Sequence, residues 1–277
     1  MLKARVLTAL VMLPIALSIL FVLPEDAFAI CVGLIVLVGA WEWIRLSGFV
    51  NQLLTGALLV IFGGVLIWSY LLPNADIPMI LGIGCTFWFG AALMVMMYPR
   101  SKQRVDGKCI KLSFGLLVLL PAYVALLYLR RHEAHLLLTA LLVTSIWAAD
   151  VGAYFVGRQF GTTKLAPNVS PGKSWEGLVG GVIIALAIGT LGASLAEPSH
   201  QLFSPVAWFV LPGIVVITVL FSVLGDLFES LIKREQGVKD SSSLLPGHGG
   251  VMDRIDSLTA ATPVFALSVH FTGWPSL

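Results

Sequence analysis

Asp226, Ser230, Lys233 and Arg234 stand at i, i+4, i+7 and i+8, so a helix continued through this stretch sets all four on one face. A carboxylate below a rim of hydroxyl, ammonium and guanidinium groups suits a polyanion that arrives with a cation. Lys and Arg give charge-assisted donors, and the carboxylate gives a hard oxygen ligand. A second set follows closely: Lys239, Asp240, the turn Gly247-His248-Gly249-Gly250, then Asp253, Arg254 and Asp256. Asp253 and Asp256, at i and i+3, share a face if a helix begins there. With Asp226 they offer the oxygens that magnesium takes before completing its octahedron with water and substrate phosphate. Two structural readings stand beside this one: an intrahelical Asp226–Lys233 ion pair, and Asp253 and Asp256 as caps at the positive end of a helix dipole. Imidazole exchanges protons near neutral pH, so His248 is a candidate general base or phosphate donor, against a hydrogen-bonding role in its turn.

A second polar segment covers residues 157–176, GRQFGTTKLAPNVSPGKSWE. Gly and Ser turns free backbone amides, and beside Lys173 and Ser174 those amides suit phosphate. Gly172-Lys173-Ser174 resembles the end of a P-loop, but that motif needs Gly five residues before Gly172, where Pro167 stands. The competing reading is a solvated basic loop. Asp150, in SIWAADVGAYFVGR, and Asp226 both lie near the ends of apolar runs. An ionised group at membrane depth costs about 2.5–3.5 kcal/mol on insertion scales, which makes both functional candidates.

The elements that must position these groups are transmembrane helices. Of the 277 residues, 58% are hydrophobic and 12% charged, against about 45–50% and about 25% in soluble domains. The fold class is therefore all-α and polytopic. Windows of about 20 apolar residues give about nine spans, near 6–23, 27–46, 53–72, 77–97, 111–130, 134–153, 177–196, 206–228 and 256–273. Pro263 and His270 interrupt the last, leaving open a tilted helix, one buried against its neighbours, or an incomplete span. Residues 1–130 form an amino-terminal group of about five spans. Residues 131–277 form a catalytic region with polar loops at 157–176 and 229–256.

With the amino terminus cytoplasmic, every Lys and Arg falls on the cytoplasmic side except Arg130 and Arg131, out of 17. That is the positive-inside pattern, and it places both polar loops, Lys3, Arg5 and the basic cluster at 100–111 in the cytoplasm. The opposite connectors, at 24–27, 72–78 and 196–205, lack Lys and Arg. Ala27-Phe28-Ala29 has the form of a signal-peptidase site, but the apolar run before it is long for a signal, and a retained signal-anchor helix is expected. Trp41, Trp43 and Trp68 lie near span ends and read as interfacial anchors. Cys31, Cys85 and Cys109 suggest neither a disulfide framework nor a thiolate metal site. His132, His135, His200 and His270 show no ligand spacing.

Residues 230–256 satisfy the pattern S-x-[LIVMF]-K-R-x(4)-K-D-x-[GSA]-x(2)-[LIF]-[PG]-x-H-G-G-[LIVMF]-x-D-R-[LIVMFT]-D at every fixed position, from Ser230 to Asp256. In this the chain resembles the bacterial phosphatidate cytidylyltransferase family, the CDP-diacylglycerol synthases. The resemblance extends to Asp150, Ala153-Tyr154 and Gly157-Arg158, and to Ser170-Pro171 with Lys173, Ser174 and Glu176-Gly177. In the amino-terminal half it rests on span number and hydropathy alone. It implies CTP and phosphatidic acid as substrates, CDP-diacylglycerol and pyrophosphate as products, magnesium, and potassium as a second cation. It also implies that Asp226 and Asp253 hold the cations, supported by Asp150 or Asp256. Lys233, Arg254 and His248 then stand with them as catalytic groups. Lys173, Ser174, Ser230, Arg234, Lys239, Asp240, Gly249 and Gly250 face the substrates.

The expected protein is a homodimer in the bacterial inner membrane with no nucleic-acid partner. A transporter of an anionic metabolite would also mix helical carboxylates with basic loops, but its key charges belong nearer the midplane. A CDP-alcohol phosphotransferase begins its pattern with Asp-Gly in an aspartate-rich helix, whereas Asp106-Gly107 is followed by Lys108-Cys109-Ile110. A scaffold has no reason to set Asp226 and Asp253 on two helices.

Overall fold

The computed structural model describes residues 2–73, 76–196 and 207–275. Beyond Ala196, the last described residue of its helix, the connector expected at 196–205, with His200, lies outside the described residues, as do the side chains of Lys3, Arg5 and Arg104. Among the described residues the chain is an α-helical bundle: α1 (Leu2–Phe21), α2 (Glu25–Leu46), α3 (Gln52–Tyr70), α4 (Ile77–Met96), the single turn α5 (Lys102–Val105), α6 (Lys108–Arg131), α7 (His135–Phe160), α8 (Trp175–Ala196), α9 (Ala207–Glu235) and α10 (Met252–Thr272). Seven of these, α2–α4 and α6–α9, are long and apolar enough to cross a membrane. The chain is an all-α polytopic membrane protein. Nine long helices among the described residues coincide in position with the nine expected spans, but α1 and α10 are not among the seven that meet the length and apolarity for crossing, and α7 and α9 run about two turns beyond the ends expected for them. Residues 27–29 lie inside α2, where Phe28 and Ala29 are buried.

Lipid tails are as apolar as leucine, so helices in a bilayer hold together through close packing rather than the hydrophobic effect. Two devices supply it. Along α7 and α8 small residues let the backbones meet: a Cβ at Gly181 would stand 2.7 Å from the Ala149 carbonyl oxygen, and one at Gly177 3.0 Å from that of Ala153. Elsewhere aromatic rings fill the core. Phe228 of α9, fully buried, lies 5.5 Å from the Phe87 ring, 5.8 Å from Trp88 and 5.7 Å from Phe114, all at steep angles. Such edge-on pairs contribute about 0.5–1.5 kcal/mol each beyond the area they bury.

Trp43 corrects the anchoring expectation. It is buried, stacks 6.3 Å from Phe228 and donates its indole N–H to the Lys111 carbonyl at 2.7 Å. Trp68 is exposed, and Trp41 lies beneath the Arg45 guanidinium. Of the three alternatives for the last helix, α10 is buried against its neighbours, with Thr259 to Ala266 enclosed. Shielded from lipid on most sides, it does not need an unbroken apolar surface. The cysteines are free, Cys85 buried and Cys109 exposed.

The segment 157–176 is more ordered than a loop. β1 (Lys164–Ala166) pairs antiparallel with β2 (Ser170–Ser174), in register Lys164 to Ser174 and Ala166 to Ser170. Its composition is poor in strand formers, so tertiary anchors must hold it. The Glu176 carboxylate accepts from the Thr162 hydroxyl at 2.6 Å and the Thr163 amide at 3.0 Å. Arg234 Nε donates to the Val169 carbonyl at 3.3 Å.

Candidate active-site cleft

Where α7, α9 and α10 meet below the hairpin, a cleft of about 580 Å³ is lined by Asp150, Asp226, Ser230, Lys233, Arg234, Lys239, Asp240, Asp253, Arg254 and Asp256. Residues up to 112 positions apart in sequence, Ile146 to Leu258, form its wall. The face expected on α9 is real, because that helix continues through Glu235 and turns Asp226, Ser230, Lys233 and Arg234 to the cleft.

The intrahelical Asp226–Lys233 pair is not what forms. Asp226 Oδ2 lies 2.7 Å from Lys173 Nζ, an ion pair joining β2 to α9, and Asp226 Oδ1 accepts from the Ser230 hydroxyl at 3.3 Å. Lys233 instead pairs with Glu229 one turn earlier and donates to Asp253 Oδ1 at 2.6 Å. Glu229 is 1% exposed and Lys233 8%. A buried ammonium between two carboxylates holds α9 to α10, and removing it would leave two buried charges facing each other.

Asp253 is engaged at both oxygens. Besides Lys233, it receives the Gly250 amide at 2.7 Å and the Ser241 amide and hydroxyl at 2.9 Å each. The turn before it needs glycine: Gly249 has φ +83°, where other residues are strained, and a Cβ at Gly250 would run into Ser241 and Glu42. Asp256 Oδ1 accepts from the adjacent Ser257 amide, at 2.7 Å.

The remaining candidates divide. His248 lines a neighbouring polar cavity of about 700 Å³ with Ser242, Pro246 and Gly247, separated from the cleft by Lys239, Asp240 and Arg254, which border both. Ser174 is buried and accepts the Gly177 amide at 3.1 Å, so it caps α8 and does not line the cleft. Gly249 lines the His248 cavity.

Hard carboxylate oxygens beside cations fit magnesium, which keeps several waters and binds through one or two carboxylates plus phosphate. Asp150, Asp226 and Asp256 present oxygens to the cleft, while those of Asp253 are already shared with donors. Among the described residues no three His, Cys, Asp or Glu side chains stand together so as to hold a metal ion by themselves. An ion here would take one or two of these carboxylates and complete its shell with water and substrate oxygens.

Two residues at the site carry no signal in the sequence patterns above. Glu229 precedes the matched pattern by one position. Glu42 lies in α2, in a stretch read only as a span end, yet its carboxylate reaches the turn beside Asp253. A lone acidic residue within a span was the available signal.

Comparison with known proteins agrees with this geometry. The sequence model of the cytidylyltransferase family matches residues 3–272. A Pseudomonas aeruginosa protein named phosphatidate cytidylyltransferase is 45% identical over 275 residues, covering 99% of each chain. A Haemophilus influenzae protein of the same name is 40% identical, covering 98% of this chain and 99% of the relative. One from Brucella suis is 34% identical, covering 96% and 92%.

Proposed function

Since the chain belongs to the cytidylyltransferase family, we propose that it is a phosphatidate cytidylyltransferase, transferring the cytidylyl group of CTP to phosphatidic acid. The observation that carries this reading is the single cleft in which Asp226, Lys233, Arg234, Lys239, Asp253 and Arg254 converge from two helices and a loop. A phosphatidate oxygen attacks the α-phosphorus of CTP in line. The new P–O bond forms as the bond to the bridging oxygen breaks, and pyrophosphate leaves with that electron pair. The nucleophile is already anionic, so no strong base is demanded, and catalysis reduces to positioning and charge neutralisation.

Lys239, Arg254, Lys233 and Arg234 surround the phosphates with donors, Arg being suited to bidentate contact. Lys173, paired with Asp226 at the edge of the cleft, is positioned to exchange that carboxylate for a phosphate oxygen. Magnesium would be held by Asp226 and by Asp253, which would give up one of its present donors, with Asp150 or Asp256 supporting through water, and when bound would supply charge neutralisation at the phosphate oxygens. Potassium is proposed as a second cation. The bias of Lys and Arg toward the end carrying the cleft supports a cytoplasmic opening in a bacterial inner membrane. There CTP enters from water, and lipid reaches the same site from the bilayer.

The test is conversion of phosphatidic acid and α-labelled CTP to labelled lipid by purified protein in detergent. Label in the lipid, lost with EDTA and in Asp253→Asn, is expected. No transfer by folded protein supplied with magnesium and potassium would overturn the reading.

A further inference from the structure

Glu42 is fully buried, does not line the cleft, and has no Lys or Arg paired with it among the described residues. Three donors meet its carboxylate, and a fourth, the single Ser241 O–H, is shared between it and Asp253. The Val251 and Met252 amides donate at 2.9 and 2.6 Å, and the Ser242 and Ser241 hydroxyls lie at 2.6 and 3.1 Å. A buried carboxylate without a counter-ion is costly unless its lone pairs are filled, and here protein donors fill them. All four belong to one segment, between Lys239 and Asp240 on one side and Asp253, Arg254 and Asp256 on the other.

The contacts are those of a helix cap supplied from another helix. Val251 stands at the N-cap of α10, with no side-chain cap bond of its own. Glu42 accepts the first amides of that helix and places negative charge at its positive end. The Ser241 hydroxyl lies between Glu42 Oε2 at 3.1 Å and Asp253 Oδ2 at 2.9 Å, so one hydroxyl links the buried carboxylate to the cleft. The anchor is stiff, because the adjacent Trp43 is buried and bonded to α6.

We propose that Glu42 is a positioning residue for cytidylyl transfer: from the amino-terminal half of the chain it fixes the loop and the first turn of α10, and through them the placement of Asp253, Arg254 and the Lys239–Asp240 wall. The proposal rests on the cytidylyltransferase reading. Supporting groups that orient a site through its direct ligands are commonly worth about 10–100-fold in activity.

Glu42→Gln keeps the size but turns an amide N–H toward donors. We expect kcat to fall by about 10–100-fold in protein that still extracts as a folded particle. Amide hydrogen exchange should rise at residues 250–256 and stay unchanged at 124–129. Glu42→Asp should recover part of the loss. Ser242→Ala, which removes one donor and leaves the charge in place, should lower kcat by a smaller factor. Its effect should be non-additive with Glu42→Gln, as expected for groups in one network. Wild-type kcat in the folded fraction of Glu42→Gln, or additive losses in the double variant, would overturn the positioning role while the wild-type enzyme still transfers label. Absence of transfer by the wild-type protein would overturn the functional reading and the positioning role together.

Discussion

The two ends of the bundle treat charge in opposite ways. At the end away from the cleft, Arg131 Nε meets Glu25 Oε1 at 2.7 Å and Arg131 also donates to the Tyr70 carbonyl at 3.0 Å; Tyr70 donates to Asp26, and Arg130 to the Leu23 carbonyl. Arg131 and Glu25 are matched to each other, Arg130 to a main-chain carbonyl, and the cluster closes the ends of α2, α3 and α6. At the other end the pairs Lys173–Asp226 and Lys233–Asp253 bridge separate segments around an open cavity that is also lined by Asp150, Asp256, Arg234, Lys239 and Arg254. The difference separates charge used to clasp helices from charge arranged for an incoming ion. The same residue types occur at both ends, so composition alone does not distinguish them; an open cavity bordered by charges without ion-pair partners among the described residues does.

Breaking the cleft should have the largest effect. Asp226→Asn removes a hard oxygen and the partner of Lys173 without changing shape. Turnover should fall by at least about 100-fold, the scale of losing a preorganised electrostatic partner, with the helical content by circular dichroism unchanged. Normal turnover would remove Asp226 from the chemistry. Lys233→Met should act on both stability and activity. It leaves Glu229 and Asp253 buried without their cation, and breaking such a pair costs about 3–5 kcal/mol. A thermal midpoint in detergent within a degree of wild type would show that the two carboxylates shed their charge without Lys233. Lys173→Ala should be milder, since the pair is part-exposed: the KM for CTP should rise about tenfold, equivalent to about 1.4 kcal/mol, with little change in stability. An unchanged KM would assign Lys173 to holding the hairpin.

Much of this contrast was legible in the sequence. Apolar windows located the helices, and periodicity placed Asp226, Ser230, Lys233 and Arg234 on one face because a helix fixes those directions locally. What was missed depends on partners distant in sequence. The spacing of Asp226 and Lys233 permits an ion pair, but Glu229 and Asp253 compete better for the lysine in three dimensions. Trp43 reads as an interfacial anchor until Gly115 is seen to leave room for its ring, so close that a Cβ there would overlap it. The hairpin at 164–174 lacks strand-forming composition and depends on Glu176 and Arg234. Glu42 lies 209 residues from Val251, beyond the reach of any local pattern.

The smallest effect should come from the opposite clasp. Arg131→Ala removes an ion pair whose members are 19% and 44% exposed, and pairs so accessible to water contribute about 0–1 kcal/mol. The lost hydrogen bond to the Tyr70 carbonyl adds little, because water can reach a helix end at the membrane surface. Activity should therefore remain within about twofold of wild type, and the midpoint should fall by a few degrees at most. Raising salt should shrink the difference between Arg131→Ala and wild type, since exposed pairs are screened, while leaving the defect of Lys233→Met largely in place because that triad is buried. A loss of turnover in Arg131→Ala as large as in Asp226→Asn would mean that the two ends are mechanically coupled through α6 and α10, and the distinction between clasp and cleft would fail.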